Sequence, residues 1–285
     1  AFANTLTQFG EVLPDAPFAQ GDAGSADGWS VRTSLLGSQR DVDATGGISG
    51  YSARDFGVAG GADRRFDLAA GSGRLGFGFG YLDSSVNAGA SSTDVDSLYV
   101  GLYGGVEQGA FSASASMAYG WQDYDFSRSI SLAAGGPATA TGSTSGDIFA
   151  TSVEVSYDLA ARMGIGSDYA FRLAPAARLD YVHASSDGFA ETGAGVLNLT
   201  VDPGSLDRTW LGAGIVMSAR FATDDGPVFT PSLKLFYENL ASGRSASTTS
   251  AIPLASASFV SAGVLEDADY LSLEAGLGVE MSESV

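Results

Sequence analysis

Residues 111–121 read FSASASMAYGW, and this stretch decides the fold. Its odd-numbered positions are mostly apolar or aromatic, whereas its even-numbered positions hold serine, alanine and glycine. Successive side chains of a β-strand point to opposite faces, so this alternation predicts a strand with one apolar face. The same pattern predicts ten strands, at residues 29–37, 51–66, 74–81, 98–107, 111–121, 149–159, 169–181, 210–221, 229–238 and 271–281.

The length of these predicted strands favours a membrane environment. Most of them run for ten residues or more, whereas strands of soluble proteins average about five to six residues. A tilted strand that crosses a bilayer needs about nine to eleven. Phe111 and Trp121 bracket one apolar face, as Tyr169 and Tyr181 bracket another, and aromatic residues collect at membrane interfaces. The pattern predicts an all-β fold, an up-and-down antiparallel transmembrane β-barrel; a soluble β-sandwich is the alternative.

The composition excludes several classes of function. The chain of 285 residues has 14 Lys+Arg and 33 Asp+Glu, giving a formal net charge of −19. This balance argues against nucleic-acid binding, because phosphate contacts need clustered basic residues. The absence of cysteine excludes disulfides and thiolate metal sites, and the single histidine, His183, excludes histidine-cluster metal sites. We therefore expect no cofactor.

The connections between predicted strands alternate in length. Short connections are predicted near residues 67–72, 107–110, 162–167 and 222–227, and long ones near 38–48, 83–96, 128–146, 184–206 and 241–266. Outer-membrane barrels have short periplasmic turns and longer extracellular loops, so the long connections are expected outside the cell. The pairs Asp41/Asp43, Asp94/Asp96 and Asp123/Asp125 are expected at loop edges as solvated groups, because none continues into a full calcium-binding loop.

Several short stretches, in their order and spacing, resemble one known family. They are residues 50–63 (GYSARDFGVAGGAD), 76–81 (GFGFGY), 99–104 (YVGLYG), 173–175 (LAP), 180–181 (DY) and 188–193 (GFAETG). Together they resemble the translocator barrel of autotransporters, the type V secretion proteins, and the similarity runs from about Trp29 to the end of the chain. The resemblance implies a barrel in the bacterial outer membrane.

That family has a twelve-stranded barrel at the C-terminus of a longer polypeptide, with a linker that runs through the pore to an exported passenger. The resemblance implies that residues 1–28 are the end of this linker and that residues 29–285 form the barrel. A shared helical face predicts a short helix before Pro14, with an unpacked tail as the alternative; its residues are Phe2, Leu6, Phe9 and Leu13. It also implies three partners: outer-membrane lipid, the chain's own N-terminal passenger and the barrel-assembly machinery. Only ten strands are predicted here, and the terminal aromatic strand of the family is not found. The last hairpin is therefore expected to be missing, unless ten strands close alone.

If the apolar face meets lipid, the opposite face lines an aqueous pore. Mixed charges in water-accessible space can pair at modest cost, and small residues between them leave room for a threaded segment. Any hydrated barrel has this pattern, so a second interpretation treats the individual charges as interchangeable. The predicted pore-lining residues are Arg74, Glu107, Glu154, Asp158, Arg172, Arg178, Asp180, Arg220, Lys234, Glu238, Glu274 and Glu280.

Two motifs that suggest chemistry are better explained by structure. Residues 71–76 match G-x-G-x-x-G, but strand alternation follows them instead of the helix that a dinucleotide site requires. A Ser-His-Asp triad would have to use His183, which follows Asp180 by three residues, yet the chain has no G-x-S-x-G elbow. We therefore predict no enzyme activity and place His183 at the outer rim.

These observations predict an outer-membrane translocator and anchor that supports export and surface display of an N-terminal passenger through a polar pore. The alternative is a porin-like channel or an adhesin barrel that acts through its long acidic extracellular loops.

Overall fold

The residues that the structure describes lie almost entirely in β-strands. The computed structural model describes residues 29–44, 50–132, 136–160, 171–221, 228–243, 247–253, 257–262 and 269–280. The predicted linker over residues 1–28, with its short helix, lies outside the described residues. Among the described residues, no helix is both long and apolar enough to span a membrane.

Ten strands form one large antiparallel sheet, as the alternation predicted. In chain order the strands are β1 (Trp29–Val42), β2 (Tyr51–Leu68), β3 (Gly71–Ala88), β4 (Ser91–Gln108), β5 (Phe111–Leu132), β6 (Gly136–Tyr157), β7 (Arg172–Ser186), β8 (Phe189–Ala190), β9 (Thr200–Val201), β10 (Gly204–Ser218), β11 (Val228–Ser242), β12 (Ser247–Ile252), β13 (Ala257–Ala262) and β14 (Asp269–Glu280). The large sheet has the order β1-β2-β3-β4-β5-β6-β7-β10-β11-β14. This is the up-and-down arrangement, because each strand pairs with the next one in the sheet's chain order.

Several strands extend further than the sequence pattern predicted. Residues 89–90 alone connect β3 and β4, which are 18 residues each. The predicted long connection at 83–96 is therefore wrong, and much of 38–48 and 128–146 also lies in strands. Gly89 makes the tight turn possible, since its φ of +60° lies in the left-handed region that glycine adopts freely.

The predicted strands end too early because the exposed face of each strand turns from apolar to polar while its buried face stays the same. Beyond Tyr81 the exposed positions of β3 become polar, at Asp83 and Asn87, whereas Leu82 and Val86 on the other face stay apolar and buried. A pattern that requires one apolar and one polar face loses its signal where the exposed face turns polar. The strand itself continues, because its buried side chains still have a core to pack in.

The apolar face predicted from the sequence is the exposed face of the sheet. Side chains on this face are exposed despite their hydrophobicity, for example Phe79 at 59% and Leu102 at 55%. The intervening side chains, such as Tyr99 and Tyr103, are buried. The other large exposed hydrophobic residues of this face include Leu75, Phe77, Leu98, Val100, Met117, Leu179, Leu211, Ile215, Leu271, Leu273 and Leu277.

The large sheet curls around its buried face. Lys234 on β11 places its Nζ 3.3 Å from Glu154 Oε2 on β6, although β7 and β10 lie between these strands. Neighbouring strands are about 4.8 Å apart, so the two side chains could not meet across three intervals of a flat sheet. The buried face is therefore concave and the apolar face convex.

The described part of the sheet is a half-barrel with two edges. β1 and β14 lie at its ends, and each has one neighbour among the described strands. We call the end that carries the 69–70 and 109–110 turns the turn end. The opposite end is the cap end.

A second sheet lies at the cap end, where the sequence predicted loops. It has the order β13-β12-β9-β8, and its strands come from the connections that follow β7 and β11. The pairs Ser250↔Val201 and Ala251↔Thr200 join the two connections. We call this four-stranded sheet, with the short 3-10 helix Gly195–Leu197, the outer cap.

Candidate functional site

The concave face is the candidate site, because the predicted pore-lining residues within strands whose side chains the structure describes share its side of the sheet. Arg178, Asp180 and Glu238 are buried there, and Arg74, Glu154, Arg172 and Lys234 are partly buried. Glu107 is exposed near the turn end, and Asp158 and Arg220 lie just past the ends of β6 and β10. The side chains of Glu274 and Glu280 lie outside the described part.

Four of these residues form one ionic cluster in the middle of the concave face. Arg178 donates to Glu154 Oε2 through Nη2 at 2.8 Å and through Nε at 3.2 Å. Arg178 Nη1 also lies 3.5 Å from Glu238 Oε1, and Lys234 donates to Glu154. The Arg178 guanidinium lies 4.4 Å from the ring centroid of Phe236. Two acids and two bases thus neutralise each other.

A glycine makes this central cluster possible. In the sheet register Gly212 of β10 lies between Arg178 of β7 and Glu238 of β11. A Cβ at Gly212 would lie 3.3 Å from Glu238 Cγ and 3.4 Å from Arg178 Cβ. Without a side chain on β10, Arg178 can reach across the strand to its second carboxylate.

The same arrangement recurs nearer the turn end, and the sequence analysis missed most of it. Tyr103 on β4 donates to Asp63 Oδ2 on β2 at 2.8 Å, and Arg74 Nε lies 3.5 Å from Asp63 Oδ1. Gly76 of β3 lies between Asp63 and Tyr103 in the register, and a Cβ there would be 2.5 Å from Tyr103 Cζ. The sequence signal that could have predicted this pairing is a glycine on the inward face of a strand, with a polar residue opposite it on each neighbouring strand.

Arg172 links three strands at the turn end of the concave face. Its Nη2 donates to Ser112 Oγ on β5 at 3.0 Å and to Ser156 Oγ on β6 at 2.8 Å. Nearby, Asp158 Oδ1 accepts from the backbone N–H of Ala160 at 2.9 Å. Asp158 therefore helps to end β6, which the sequence pattern had extended to residue 159.

The concave face is not polar throughout, because its cap end carries an apolar cluster. This cluster includes Tyr99, Tyr124, Ile148 and Trp210, each of which is at most 5% exposed to solvent. Val201 of the outer cap belongs to it, and Phe189 and Leu199 pack against it. The cap end of the concave face is thus mainly apolar, although the buried side chain of Arg208 lies there too, and the paired charges lie in the middle and nearer the turn end.

On the convex face, tyrosines mark the boundary of the apolar band at the cap end. Tyr181 donates to Asp207 Oδ1 at 2.6 Å, and Tyr237 donates to Asp269 Oδ1 at 2.8 Å. Tyr81 donates to Asp96 in the same way. These pairs place a row of carboxylates directly beyond the aromatic residues, as expected where acyl chains give way to headgroups and water.

Two of the three Asp-x-Asp pairs lie within strands instead of at loop edges, whereas Asp41 and Asp43 lie at the end of β1, as predicted. Asp94 and Asp96 belong to β4, and Asp123 and Asp125 belong to β5, all exposed on the convex side. Asp94↔Asp125 and Asp96↔Asp123 are register partners. No group of His, Cys, Asp and Glu suited to a metal ion is found within the described ranges.

His183 and Asp180 point to opposite faces of β7. Asp180 is buried on the concave side, whereas His183 Nδ1 lies 2.9 Å from Asp207 Oδ1 on the convex side. The sequence spacing that suggested a triad therefore does not bring these two residues together.

Comparisons with known proteins agree with this geometry. The translocator domain of the autotransporter NalP from Neisseria meningitidis has a TM-score of 0.55 at 15% identity, covering 97% of this chain and 88% of that one. The β domain of the Bordetella autotransporter BrkA has a TM-score of 0.57 at 20% identity, covering 90% and 99%.

Two curated relatives match over part of their length. Esterase EstA of Pseudomonas aeruginosa is 26% identical over 190 residues, which is 66% of this chain and 28% of that protein. The extracellular serine protease of Serratia marcescens is 29% identical over 201 residues, which is 69% of this chain and 18% of that protein. The chain thus spans less than a third of the length of either relative.

The decisive match is to a family. Residues 31–285 match the autotransporter β-domain family, so the match includes every residue of the chain after the first 30. The curled antiparallel sheet with its apolar convex face agrees with this match. The chain belongs to the autotransporter β-domain family, the translocator barrels of the bacterial outer membrane.

Proposed function

We propose that this chain anchors an N-terminal passenger in the outer membrane and supports its export to the cell surface. Residues 29–285 form the barrel domain in this proposal, and residues 1–28 are a linker along the concave side. Outer-membrane lipid contacts the convex face, and the barrel-assembly machinery inserts the strands. Membership of the family supports this function, since its members carry a passenger on the same polypeptide.

The observation that carries the proposal is the internal pairing of charges on the concave face. Glu154 of β6, Arg178 of β7, and Lys234 and Glu238 of β11 pair with one another. Paired charges keep the surface hydrated without leaving a strong single-sign field that would hold a passing peptide. We therefore propose the twelve residues predicted from the sequence as pore-lining, with Asp63 and Tyr103 added to them.

The two sheet edges need partners in this proposal. A bilayer offers no hydrogen bonds to the unpaired backbone groups of an edge strand. We expect the free edges of β1 and β14 to be paired in the membrane, either with each other or with further strands.

We also propose that this chain is not itself an enzyme. The activities named for EstA and for the Serratia protease belong to those proteins, which extend far beyond the matched region. Within this chain a single histidine, no cysteine and no nucleophile elbow leave little from which to build a catalytic site. The alternative of a porin-like channel fits the concave face less well, because apolar side chains cross its cap end.

Surface display tests the proposal directly. An epitope followed by a protease site is inserted directly before Ala1 in the full-length gene product. Intact cells that express this protein are then treated with antibody and with protease. We expect antibody binding on whole cells and release of the epitope by protease. The control is the same polypeptide without residues 29–285, which should leave the epitope inside. An inserted, heat-modifiable barrel whose epitope stays inaccessible would overturn the proposal.

A further inference from the structure

An arginine interrupts the apolar band of the convex face at the turn end. Arg64 of β2 is exposed, and its register partners are Trp29 on β1 and Leu75 on β3. Phe66 follows two residues later on the same side of β2. Trp29, Leu75 and Phe66 are all exposed hydrophobic residues. Arg64 therefore lies among side chains that face the acyl chains of a bilayer.

The protein offers Arg64 an aromatic ring but no carboxylate. The guanidinium carbon of Arg64 lies 5.9 Å from the centroid of the Trp29 ring, and no ion pair of Arg64 is found among the residues that the structure describes. The neighbouring Asp63 is buried on the concave face, and Arg65 donates to Ser72 Oγ at 3.2 Å. An arginine without an anion is costly beside hydrocarbon, so an anion from the surroundings would stabilise it.

The position of Arg64 along β2 brings its charge within reach of lipid headgroups. Arg64 is separated by two residues, about 7 Å along the strand, from Phe66, the last aromatic residue of β2. Long basic side chains extend toward the membrane surface over such distances. The short turns of outer-membrane barrels lie on the periplasmic side, so these headgroups belong to the periplasmic leaflet.

A phospholipid matches both the polar and the apolar part of this surface. A guanidinium group binds phosphate through two parallel hydrogen bonds, and the indole N–H of an interfacial tryptophan is a further donor. Leu75 and Phe66 lie on either side of Arg64 and present apolar surface to the acyl chains. Arg64 and Trp29 can therefore hold the phosphate while their neighbours contact the chains.

The opposite boundary of the apolar band carries charge of the other sign. Asp83, Asp96 and Asp123 are exposed register partners on β3, β4 and β5 at the cap end. These carboxylates repel an anionic headgroup, whereas Arg64 attracts it. The difference in charge between the two boundaries favours anionic lipid at the turn end.

We infer that Arg64 and Trp29 form a binding site for the phosphate of an anionic phospholipid in the periplasmic leaflet. Phe66 and Leu75 contact the acyl chains of this lipid. The inference rests on the contact between the convex face and outer-membrane lipid proposed above, and it names the lipid class and the residues that bind it. The bound lipid supplies the counter-charge that Arg64 lacks within the protein.

Quenching of Trp29 fluorescence tests the site, because bromine on an acyl chain quenches only tryptophans that lie close to it. The full polypeptide is reconstituted into vesicles of phosphatidylcholine with a minor share of phosphatidylglycerol, and one of the two lipids is brominated at a time. The Trp29 signal is isolated by subtracting the emission of a matched Trp29→Phe protein. We expect phosphatidylglycerol to bind at Trp29 about fivefold more tightly than phosphatidylcholine, the factor for one basic residue at an anionic surface.

Two arginine variants separate the site from a general effect of charge. Arg64→Gln should abolish the preference for phosphatidylglycerol, whereas Arg54→Gln should leave it unchanged. Arg54 is exposed on the same side of β2 but lies toward the cap end, so its substitution removes an equal charge away from the site. Insertion of each protein is checked by its heat-modifiable band. Equal binding of the two lipids in the unsubstituted protein, or a preference that survives Arg64→Gln, would overturn the inference.

Two further results distinguish the inference from the proposals on which it rests. Soluble glycerol phosphate carries the anionic group without acyl chains, and we expect it not to displace the lipid; displacement would indicate a site for free phosphate and would refute the lipid site. Failure of both brominated lipids to quench Trp29 would contradict the contact of the convex face with lipid. Equal quenching by both lipids would refute the anionic site alone.

Discussion

Replacing Leu179 by arginine should destabilise the barrel strongly, because it puts a charge on the convex face. Leu179 lies near the middle of β7 and is 45% exposed. Its register partners are Val153 on β6 and Leu211 on β10, both also exposed. In a bilayer these three side chains form a continuous apolar row against the acyl chains, where an arginine has no partner.

The expected cost follows from that position. An arginine on the lipid face near the midplane of an outer-membrane barrel costs about 2–4 kcal/mol. Since 1.4 kcal/mol is tenfold in an equilibrium constant, this lowers the ratio of folded to unfolded protein by about 30- to 700-fold. The change should appear in urea unfolding followed by tryptophan fluorescence in phospholipid vesicles, and as earlier loss of the heat-modifiable band on gels.

Ser114→Arg is the matched control on the other face. Ser114 of β5 is the register partner of Glu154, so an arginine there meets a carboxylate in hydrated space. We expect its stability to stay within about 1 kcal/mol of wild type. Equal loss of stability in the two variants would refute the assignment of the faces.

Two further predictions concern the concave face. Glu154→Gln should lower the free energy of unfolding by about 1.5–3 kcal/mol, because Arg178 and Lys234 lose a shared charged acceptor. Its control is Glu107→Gln, at an exposed position near the turn end, which should leave the free energy of unfolding almost unchanged in the same urea titration. Gly76→Ala should cost about 1–3 kcal/mol through overpacking, since the new Cβ would lie 2.5 Å from Tyr103 Cζ. Gly37→Ala, whose Cβ would have one neighbour at 3.8 Å, should unfold near the wild-type midpoint, and equal midpoints for the two glycine variants would contradict the register.

The sequence predicted the fold well where both faces of a strand carry a signal. Met117 and Trp121 alternate with Ser116 and Gly120. In the structure Met117 and Trp121 are exposed, whereas Ser116 is partly buried and Gly120 is buried. Ten strands and their order followed from this alternation. The predicted strand at residues 169–181 is displaced from β7, which begins at Arg172 and continues to Ser186.

The outer cap could not be predicted from the alternation. β8 and β9 contain two residues each, too few to show a period of two. Their stability comes from side chains that are distant in the sequence, such as Phe126 with Phe189 and Arg128 with Glu191. The pairing of Asp63 with Tyr103 was missed for a similar reason, since it depends on a strand register that composition does not reveal.

The central claim is that the convex face meets lipid and the concave face meets water. The chain has no cysteine, so single cysteines along β5 can each carry a fluorophore without background labelling. In phospholipid vesicles, labels at Ala115 and Met117 should be quenched by a lipid-attached quencher, and labels at Ser114 and Ser116 by aqueous iodide. Quenching that fails to alternate between neighbouring positions, or that alternates in the opposite sense, would contradict the account.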